Sequence, residues 1–328
     1  MKMNNQHITE DSGIPLIGCI AFGIIDRGTN LLQIRSTSIC NMSCTFCSTD
    51  GGPNSTHHKV TYTVDVDYLL KWTRKVCELK GDNVEIFIDS VGDPLMYNEF
   101  VKLVSGLKKI KNVKHVTVIT NGTLLTDKII KELEEAGLDR INLSIHTMDE
   151  KIGKLLMGCS WYDVNKIKEI CKKIAKSKIE LMLTPVWLPK VNDKDVEDLI
   201  QFSKEIGAKI GIQKYEIYKH SRKHKGAGKT NWFKFYRQIK EWEKKFDIKL
   251  TVNKDDVNVE NRPRLKDQMH EGDKVNAKIK LPGWQKGQMI GVANNRCISI
   301  NNCDAEIGST VRVRITDDKN GIYLAEAC

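Results

Sequence analysis

The sequence lacks any apolar run long enough to cross a bilayer. The apolar stretch IPLIGCIAFGII at residues 14–25 is too short for a membrane span. Residues 1–13 are polar and carry acidic side chains where a secretory signal would be apolar. We therefore expect a cytoplasmic protein with no membrane partner, in which the ten cysteines stay reduced.

Proline is scarce, with 7 residues, and aromatic residues make up only 7% of the 328-residue chain. Acidic residues do not dominate, since 52 Lys and Arg oppose 42 Asp and Glu and give a net charge of +10. A basic chain favours anionic partners such as nucleic acid, although a lysine-rich composition alone would give the same charge. Residues 209–229 concentrate this charge, because they carry one acid, Glu216, and the basic residues Lys209, Lys214, Lys219, Arg222, Lys223, Lys225 and Lys229.

From about residue 31 to 250, apolar segments of strand length alternate with amphipathic helical segments. The predicted strands are LLQIRS, NVEIFIDS, HVTVIT, RINLSIH, IELMLTPVW and KIGIQKYEI. The helical segments between them repeat apolar residues at three and four spacing, and several begin at an Asp or Asn cap. About six βα units predict an α/β fold with a parallel sheet, and the pattern alone leaves a barrel and a doubly wound sheet equally open.

The chain changes character after residue 250. Residues 251–264 are polar and aperiodic and are interpreted as a linker, while residues 1–30 are interpreted as an N-terminal extension of the 31–250 core. Residues 265–328 contain the short alternating segments KVNAKI, QMIGVA, RCISI, TVRVRI and GIYLAEA, separated by turn residues. Five such strands predict a small all-β barrel.

Three cysteines, Cys40, Cys44 and Cys47, lie within eight residues directly after the first predicted strand. A closed structural zinc site needs four ligands, so three thiols match it poorly. Iron–sulfur clusters are also held by cysteine thiolates, ordinarily four, and three would leave one iron open to another ligand. A chance spacing, or a zinc site with a distant fourth ligand, stays open at this point.

The CxxxCxxC spacing, with Phe46 before the third cysteine, resembles the radical S-adenosylmethionine (SAM) enzymes. The resemblance covers roughly residues 31–250 and implies a partial (β/α)6 barrel. It also implies one Fe4S4 cluster on Cys40, Cys44 and Cys47, with SAM bound at the open iron. Such enzymes use an electron from an external one-electron donor to cleave SAM to a 5′-deoxyadenosyl radical, which abstracts hydrogen from a substrate.

Further elements at the ends of the predicted strands match this family. DSVGDP after the second strand resembles its amino-group turn, with Asp93 where the family usually has Glu, and TNG after the third resembles an element near the nucleoside. Ser144 and His146 end the fourth strand, where the family contacts the ribose. The resemblance therefore implies SAM contacts at Ser90, Gly92, Asp93, Pro94, Thr120, Asn121, Gly122, Ser144 and His146.

The C-terminal segment resembles the TRAM domain, a small RNA-binding β-barrel related to the oligonucleotide-binding (OB) fold. The matching features are Gly272–Asp273, GQMIGVANNRCISI, Gly308 and the closing IYLAEA. The resemblance implies an RNA partner, tRNA in particular, and makes the chain a candidate RNA-modifying transferase or oxidoreductase. With the basic run it predicts RNA contacts at Arg222, Lys223, Lys225, Lys229, Lys286, Arg296, Arg312 and Arg314. A barrel used only for packing or protein contact is the alternative.

Two further features stay open in the sequence. Cys159 follows the fourth strand and is a weak catalytic candidate, as a thiol donor or radical quencher, against simple packing. The aromatic residues at helical spacing after the basic run are explained mostly by core packing, although one or two could stack on a base; they are Trp232, Phe233, Phe235, Tyr236 and Trp242.

Three functions are consistent with these features. The first is a radical SAM enzyme that modifies a tRNA base, and the second is the same chemistry on a protein or small molecule. The third is an RNA-binding protein with a structural iron–sulfur cluster. Methylthiotransferases combine radical SAM and TRAM domains, but they carry three more cluster cysteines in an N-terminal domain, whereas Cys19 stands alone before the core here.

Overall fold

A computed structural model describes residues 4–252, 256 and 258–328. Residues 253–255 and 257 of the predicted linker, and residues 1–3 of the predicted extension, lie outside this range. Within it, no helix combines the length and apolar character that a membrane span requires.

The core is an open sheet of seven strands. Six of them run parallel, and β2 pairs antiparallel at one edge, in the spatial order β10-β8-β7-β6-β5-β3-β2. The strands are β2 (Gly23–Asp26), β3 (Leu31–Arg35), β5 (Val84–Ile88), β6 (Val113–Thr120), β7 (Arg140–Leu143), β8 (Glu180–Leu183) and β10 (Lys209–Ile210). The predicted α/β fold with a parallel sheet is confirmed, because each predicted segment contains one strand of this sheet.

Helices flank the sheet, the first six of them between its parallel strands along the chain and the last after β10. They are α1 (Val66–Lys80), α2 (Phe100–Lys108), α3 (Asp127–Glu135), α4 (Glu150–Met157), α5 (Val164–Ala175), α6 (Asp193–Glu205) and α7 (Trp232–Phe246). Side-chain caps explain several of their first residues, since Asp65, Thr126, Asp149, Asp163 and Asn231 each accept a backbone N–H of the first turn. The short helix α4 is not indicated by the sequence pattern, and it ends at Gly158 in a left-handed conformation.

The N-terminal residues are built into the fold. Strand β1 (Asn4–Ile8) pairs in parallel with β4 (Val60–Val64), beside the segment that follows the cysteines. A second small pair joins β9 (Val186–Trp187) and β11 (Gln213–Lys214) in parallel. Strand β9 follows β8 in the chain, and β11 follows β10. Both pairs add structure at the edge of the sheet where the functional site lies.

The five predicted C-terminal strands form a closed barrel. They are β12 (Lys274–Pro282), β13 (Gln288–Ala293), β14 (Arg296–Asn301), β15 (Thr310–Asp317) and β16 (Tyr323–Ala327), in the order β12-β13-β14-β16-β15. Alternate residues fill its interior, among them Ala277, Ile279, Ile298, Val313 and Tyr323, all fully buried. Closure removes the free strand edges that a five-stranded sheet would expose.

The barrel packs directly on the segment after the cysteines. The ring of Trp284 stacks on the ring of His58, with centroids 3.7 Å apart and planes 7° apart. Tyr62 Oη donates to Pro282 O at 2.8 Å, and Cys297 N–H donates to Ile17 O at 2.8 Å. The barrel is therefore held beside the cysteine loop by packing and by hydrogen bonds.

Candidate active site

The cysteine loop, residues 40–47, is fixed from one side by the end of α4. Ser43 N–H donates to Met157 O at 3.1 Å, and Thr45 N–H donates to Leu156 O at 2.8 Å. Gly158 lets the two segments approach, because a Cβ at its φ of +63° would lie 2.1 Å from Ser43 O. The loop therefore takes its shape from hydrogen bonds to α4.

From the other side the loop is clamped by Arg222. Its Nε donates to Asp50 Oδ1 at 2.7 Å, Nη2 to Gly51 O at 2.6 Å and Nη1 to Cys44 O at 3.2 Å. Its own N–H donates to Cys47 O at 2.9 Å. One guanidinium thus ties together both ends of the segment that carries the second and third cysteines.

Asp50, the acceptor in this clamp, is a buried carboxylate. Burial opposes its ionisation, but hydrogen bonds from the His57 side chain and from the His57 and Thr56 backbone, with the Arg222 charge, hold its pKa well below the usual range. Its own backbone takes the left-handed conformation, with φ +52°. Asp50 therefore stays ionised at neutral pH and keeps its partners ordered.

The three cysteines line one cleft of about 420 Å³. All three are free thiols, and burial raises the pKa of Cys40 to about 12 and that of Cys44 well above its usual value. Among the described residues no set of three His, Cys, Asp or Glu side chains is close enough to hold a single ion. Three soft thiols that line one cleft fit a polynuclear cluster, in which different irons take different sulfurs and each ligand loses its proton on binding.

The DSVGDP turn enters the same cleft at the end of β5. Gly92 crosses so close to the cysteine loop that a Cβ would lie 2.1 Å from Ile39 O. Ser90 Oγ accepts Gly92 N–H at 2.8 Å and itself donates to Thr37 O. The turn therefore places the Ser90–Gly92 backbone against the chain that leads into Cys40.

Asp93 is buried and joins two strand ends. Its carboxylate accepts Leu95 N–H at 2.9 Å, Asn121 N–H at 2.7 Å and Thr120 Oγ1 at 2.9 and 3.0 Å. Burial raises its pKa, while these hydrogen bonds oppose the shift. Asp93 lines the cleft, but its described hydrogen bonds are to the protein and hold the turn against the end of β6.

The TNG element lies next to the cysteine loop. Thr120 and Asn121 line the cleft, and Asn121 Nδ2 donates to Asn41 Oδ1 at 2.9 Å. Thr123 Oγ1 links the two asparagines, because it accepts a hydrogen bond from Asn41 Nδ2 at 2.9 Å and donates one to Asn121 Oδ1 at 2.6 Å. Gly122 and Pro94 are not part of the cleft wall and lie behind it.

Ser144 and His146 follow β7 and complete this wall of the cleft. Val186 N–H donates to His146 Nδ1 at 3.0 Å, so the ring carries its proton on Nε2. Burial lowers the pKa of His146 to about 3, and the Phe46 ring packs edge-on against it at 4.8 Å. His146 is therefore a neutral donor at physiological pH.

Cys159, the weak catalytic candidate, lies outside the wall of the cleft. This thiol is 8% exposed, does not line the cleft and points its Sγ toward Asn41 O at 3.9 Å. It packs against the cysteine loop, which favours the packing alternative over the catalytic one.

Two predicted RNA contacts are corrected. The Arg222 guanidinium is used by the clamp described above, and Arg296, only 9% exposed, donates to Lys266 O at 2.9 Å and Asn295 O at 3.0 Å. Both were expected at the surface because they stand in polar, basic stretches, and only the tertiary packing reveals their internal partners. The other predicted contacts are exposed, namely Lys223, Lys225, Lys229, Lys286, Arg312 and Arg314.

Several cleft residues are not indicated by sequence reasoning. Asp89 lines the cleft at the end of β5, where its carboxylate accepts Arg35 Nε at 3.0 Å and Gln33 Nε2 at 2.7 Å. Its place at a strand end, four residues before Asp93, could have identified it. Lys214, at the end of β11, and Tyr218, in the loop that follows it, also line the cleft.

Comparison with known proteins agrees with this geometry. A profile described as the radical SAM superfamily matches residues 34–203, more than half of the chain. An uncharacterized protein of Methanocaldococcus jannaschii is 37% identical over 340 residues, covering 95% of this chain and 78% of that protein. A GTP 3′,8-cyclase of Alkaliphilus oremlandii is 30% identical over 190 residues, and a probable GTP 3′,8-cyclase of Sulfurisphaera tokodaii is 28% identical over 222 residues.

The matches to the two cyclases are partial. They cover 55% and 66% of this chain, and 54% and 64% of the two cyclases respectively.

The fold is also found in solved structures. SuiB of Streptococcus suis bound to S-adenosylmethionine has a TM-score of 0.52 at 16% identity, covering 72% of this chain and 49% of that one. SuiB bound to the precursor peptide SuiA also gives a TM-score of 0.52, covering 74% of this chain and 49% of that one. At this identity the likeness concerns the fold, and the fold agrees with the profile. The chain belongs to the radical SAM superfamily.

Proposed function

We propose that the chain binds one Fe4S4 cluster through Cys40, Cys44 and Cys47 and binds SAM in the adjoining cleft. The observation that carries this proposal is the convergence of the three free thiols with the ends of β5, β6 and β7 on one cleft. When bound, the cluster and SAM together supply the one-electron cleavage that generates a 5′-deoxyadenosyl radical. The electron for this cleavage would come from an external one-electron donor.

The chain's own residues would position SAM and exclude solvent. His146, neutral and with its proton on Nε2, would donate a hydrogen bond from the β7 end. The Ser90–Gly92 backbone would receive the amino group, because the Asp93 carboxylate is already bonded to Leu95, Thr120 and Asn121. This assignment is compatible with Asp93 in place of the family's usual Glu. The backbone carbonyl groups would accept the amino group, and the Asp93 side chain would keep its hydrogen bonds to the protein.

We propose RNA, and tRNA in particular, as the substrate, with the C-terminal barrel acting as a TRAM-like RNA-binding domain. On the outer face of β12 and β15, Lys274 lies opposite Arg314, and Arg312 lies opposite Asn276, two residues before Lys278. All four side chains are exposed. Arg314 also lies opposite Glu326 of β16, and the four exposed cations together form a basic strip that suits phosphate contacts.

Nucleoside mass spectrometry tests this substrate. Bulk tRNA from a strain lacking the gene is compared with wild-type tRNA, and the reconstituted protein with SAM and a reductant is then incubated with the deletion-strain tRNA. We expect one modified nucleoside to disappear in the deletion strain and to return, or to change in mass, after the incubation. An unchanged profile in both experiments would exclude tRNA as the substrate.

A small nucleotide is the second candidate substrate, favoured by the similarity to GTP 3′,8-cyclases over 190 to 222 residues. The release of 5′-deoxyadenosine in the presence of tRNA or of GTP separates the two. If the substrate is a protein or peptide, neither tRNA nor GTP would increase the release of 5′-deoxyadenosine. A structural cluster in a pure RNA-binding protein would give RNA binding with no SAM cleavage under any condition.

A further inference from the structure

Helix α7 has one buried face and one exposed aromatic face. Phe235, Ile239 and Trp242, at four and three spacing, are 4%, 2% and 2% exposed and belong to the core. Trp232, Phe233 and Tyr236 are 53%, 74% and 45% exposed. Three large aromatic residues side by side at the surface are unusual for packing alone and indicate an interaction site.

The exposed rings are already arranged for stacking. Trp232 and Tyr236 lie one helical turn apart with ring centroids 5.7 Å apart and planes 26° apart. Lys214 Nζ lies 5.0 Å from the centroid of Trp232, over its face. Phe233 is the neighbouring residue and the most exposed of the three.

This face is continuous with the candidate active site. A second cavity of about 300 Å³ is lined by Trp232 and Tyr236 on one side and by Asn142 and Thr184, at the ends of β7 and β8, on the other. Gln213 and Lys214 line both this cavity and the cleft that contains the cysteines. Asn142 Oδ1 and Thr184 Oγ1 are buried without a hydrogen-bond partner among the described residues. A ligand on α7 would thus have a path toward the cleft that passes unpartnered polar atoms.

The chain that leads into the rings is basic, and Lys214, the cation over Trp232, is paired with Glu216 at 2.9 Å. Residues 219–237 contain no Asp or Glu, and their cations are Lys219, Arg222, Lys223, Lys225, Lys229, Lys234 and Arg237. Of these Arg222 is internal, while Lys225, Lys229 and Lys234 are exposed. Exposed aromatic rings next to cations suit single-stranded nucleic acid, whose bases can stack on the rings and whose backbone is negatively charged.

We propose that the exposed face of α7, formed by Trp232, Phe233 and Tyr236, is a stacking platform for unpaired bases of the RNA substrate, next to the cavity that leads to the active site. The inference rests on the proposed function, because it assumes an RNA substrate. Paired bases have no free ring faces, so the platform selects single-stranded loops. A duplex would be held only through phosphate contacts.

The test is binding of fluorescent RNA to the reconstituted protein at fixed salt. The probes are a single-stranded RNA of about 15 nucleotides without base pairing and a duplex of the same length. We expect Trp232→Ala and Tyr236→Ala each to weaken single-strand binding about 5- to 150-fold and to leave duplex binding within about twofold. The matched control is Trp161→Ala, since Trp161 is 55% exposed but lines none of the cavities described here.

The outcomes separate this inference from the proposed function. If the protein binds and modifies RNA but the α7 variants bind it like wild type, the platform is wrong and the proposed function stands. If no RNA binds and no tRNA nucleoside changes, the proposed function fails and the platform fails with it. A changed oligomeric state in Trp232→Ala, measured by light scattering and without a change in RNA affinity, would make the face a contact between copies and overturn the proposal. Circular dichroism checks that each variant is folded.

Discussion

Arg222 and Asp50 form an ion pair directly beneath the cysteine loop. Nε and Oδ1 are 2.7 Å apart, and the two side chains are 16% and 2% exposed. The same guanidinium also bonds to the carbonyl oxygens of Cys44 and Gly51. The conformation of the cysteine loop therefore depends on a residue that comes from a distant part of the chain.

Replacing Arg222 with Ala is expected to lower the iron content per chain and to cost about 1.5–3 kcal/mol of unfolding free energy. The reason is that Asp50 would remain buried and ionised without its cation. Iron analysis after anaerobic reconstitution and denaturant unfolding measure both effects. Arg222→Lys should rescue only partly, because an ammonium group cannot reproduce the fork of donors.

The neighbouring exposed Lys223 provides the matched control, and Lys223→Ala should change neither iron content nor stability. Asp50→Asn combined with Arg222→Ala should be more stable than Arg222→Ala alone, since the buried charge is gone. Equal iron content in Arg222→Ala and wild type would show that the clamp does not support the cluster.

Cys44→Ala is expected to abolish the cluster signal in electron paramagnetic resonance and to reduce iron to a small fraction of wild type. Three thiolates on a four-iron cluster leave one iron without a protein ligand, and the loss of one thiolate leaves two irons without one. Cys159→Ala is the control, because this thiol packs behind the loop and does not line the cleft. A normal cluster in Cys44→Ala would refute the ligand assignment.

Much of the fold can be predicted from the sequence because apolar spacing is a local property. Alternating or continuous apolar segments predict the five barrel strands and the sheet strands β3, β5, β6, β7, β8 and β10, and α1 begins at its Asp65 cap. The cysteines and the elements at the ends of β5, β6 and β7 can be identified because they lie at strand ends in a parallel sheet. These features depend on residues close together in the chain.

What could not be predicted depends on contacts between distant loops. Arg222 and Arg296 stand in polar stretches typical of a surface, and their internal partners appear only once the loops are packed. Asp50 likewise sits in a turn-rich segment with no periodicity. The aromatic residues of α7 divide between core and surface according to the position of the helix on the sheet, which the spacing alone leaves open.

His146 predicts a specific dependence of stability on pH. Its pKa falls from 6.5 in the unfolded chain to about 3 in the folded one, because burial disfavours the charged ring. Between these values the unfolded chain binds a proton that the folded chain does not, so stability falls as pH falls through this window. His146→Gln should remove this part of the slope, up to about 1.4 kcal/mol per pH unit.

Urea unfolding of wild type and His146→Gln between about pH 5 and 8 measures the effect. Near pH 8 the residue is neutral in both states, and the remaining difference reports packing and the hydrogen bond to Val186. Parallel stability curves across the whole range would show that His146 ionises normally in the folded protein.

Gly158 and Gly207 offer a matched pair that tests the contact between α4 and the cysteine loop. Both have a left-handed backbone, with φ +63° and +68°, so alanine costs each about 1–2 kcal/mol of strain. A Cβ at Gly158 would lie 2.1 Å from Ser43 O, whereas a Cβ at Gly207 would meet nothing within 4 Å. Gly158→Ala should therefore displace the loop and lower iron content, while Gly207→Ala lowers only the melting temperature. The same iron content in both variants would mean that the loop keeps its cluster without the support of α4.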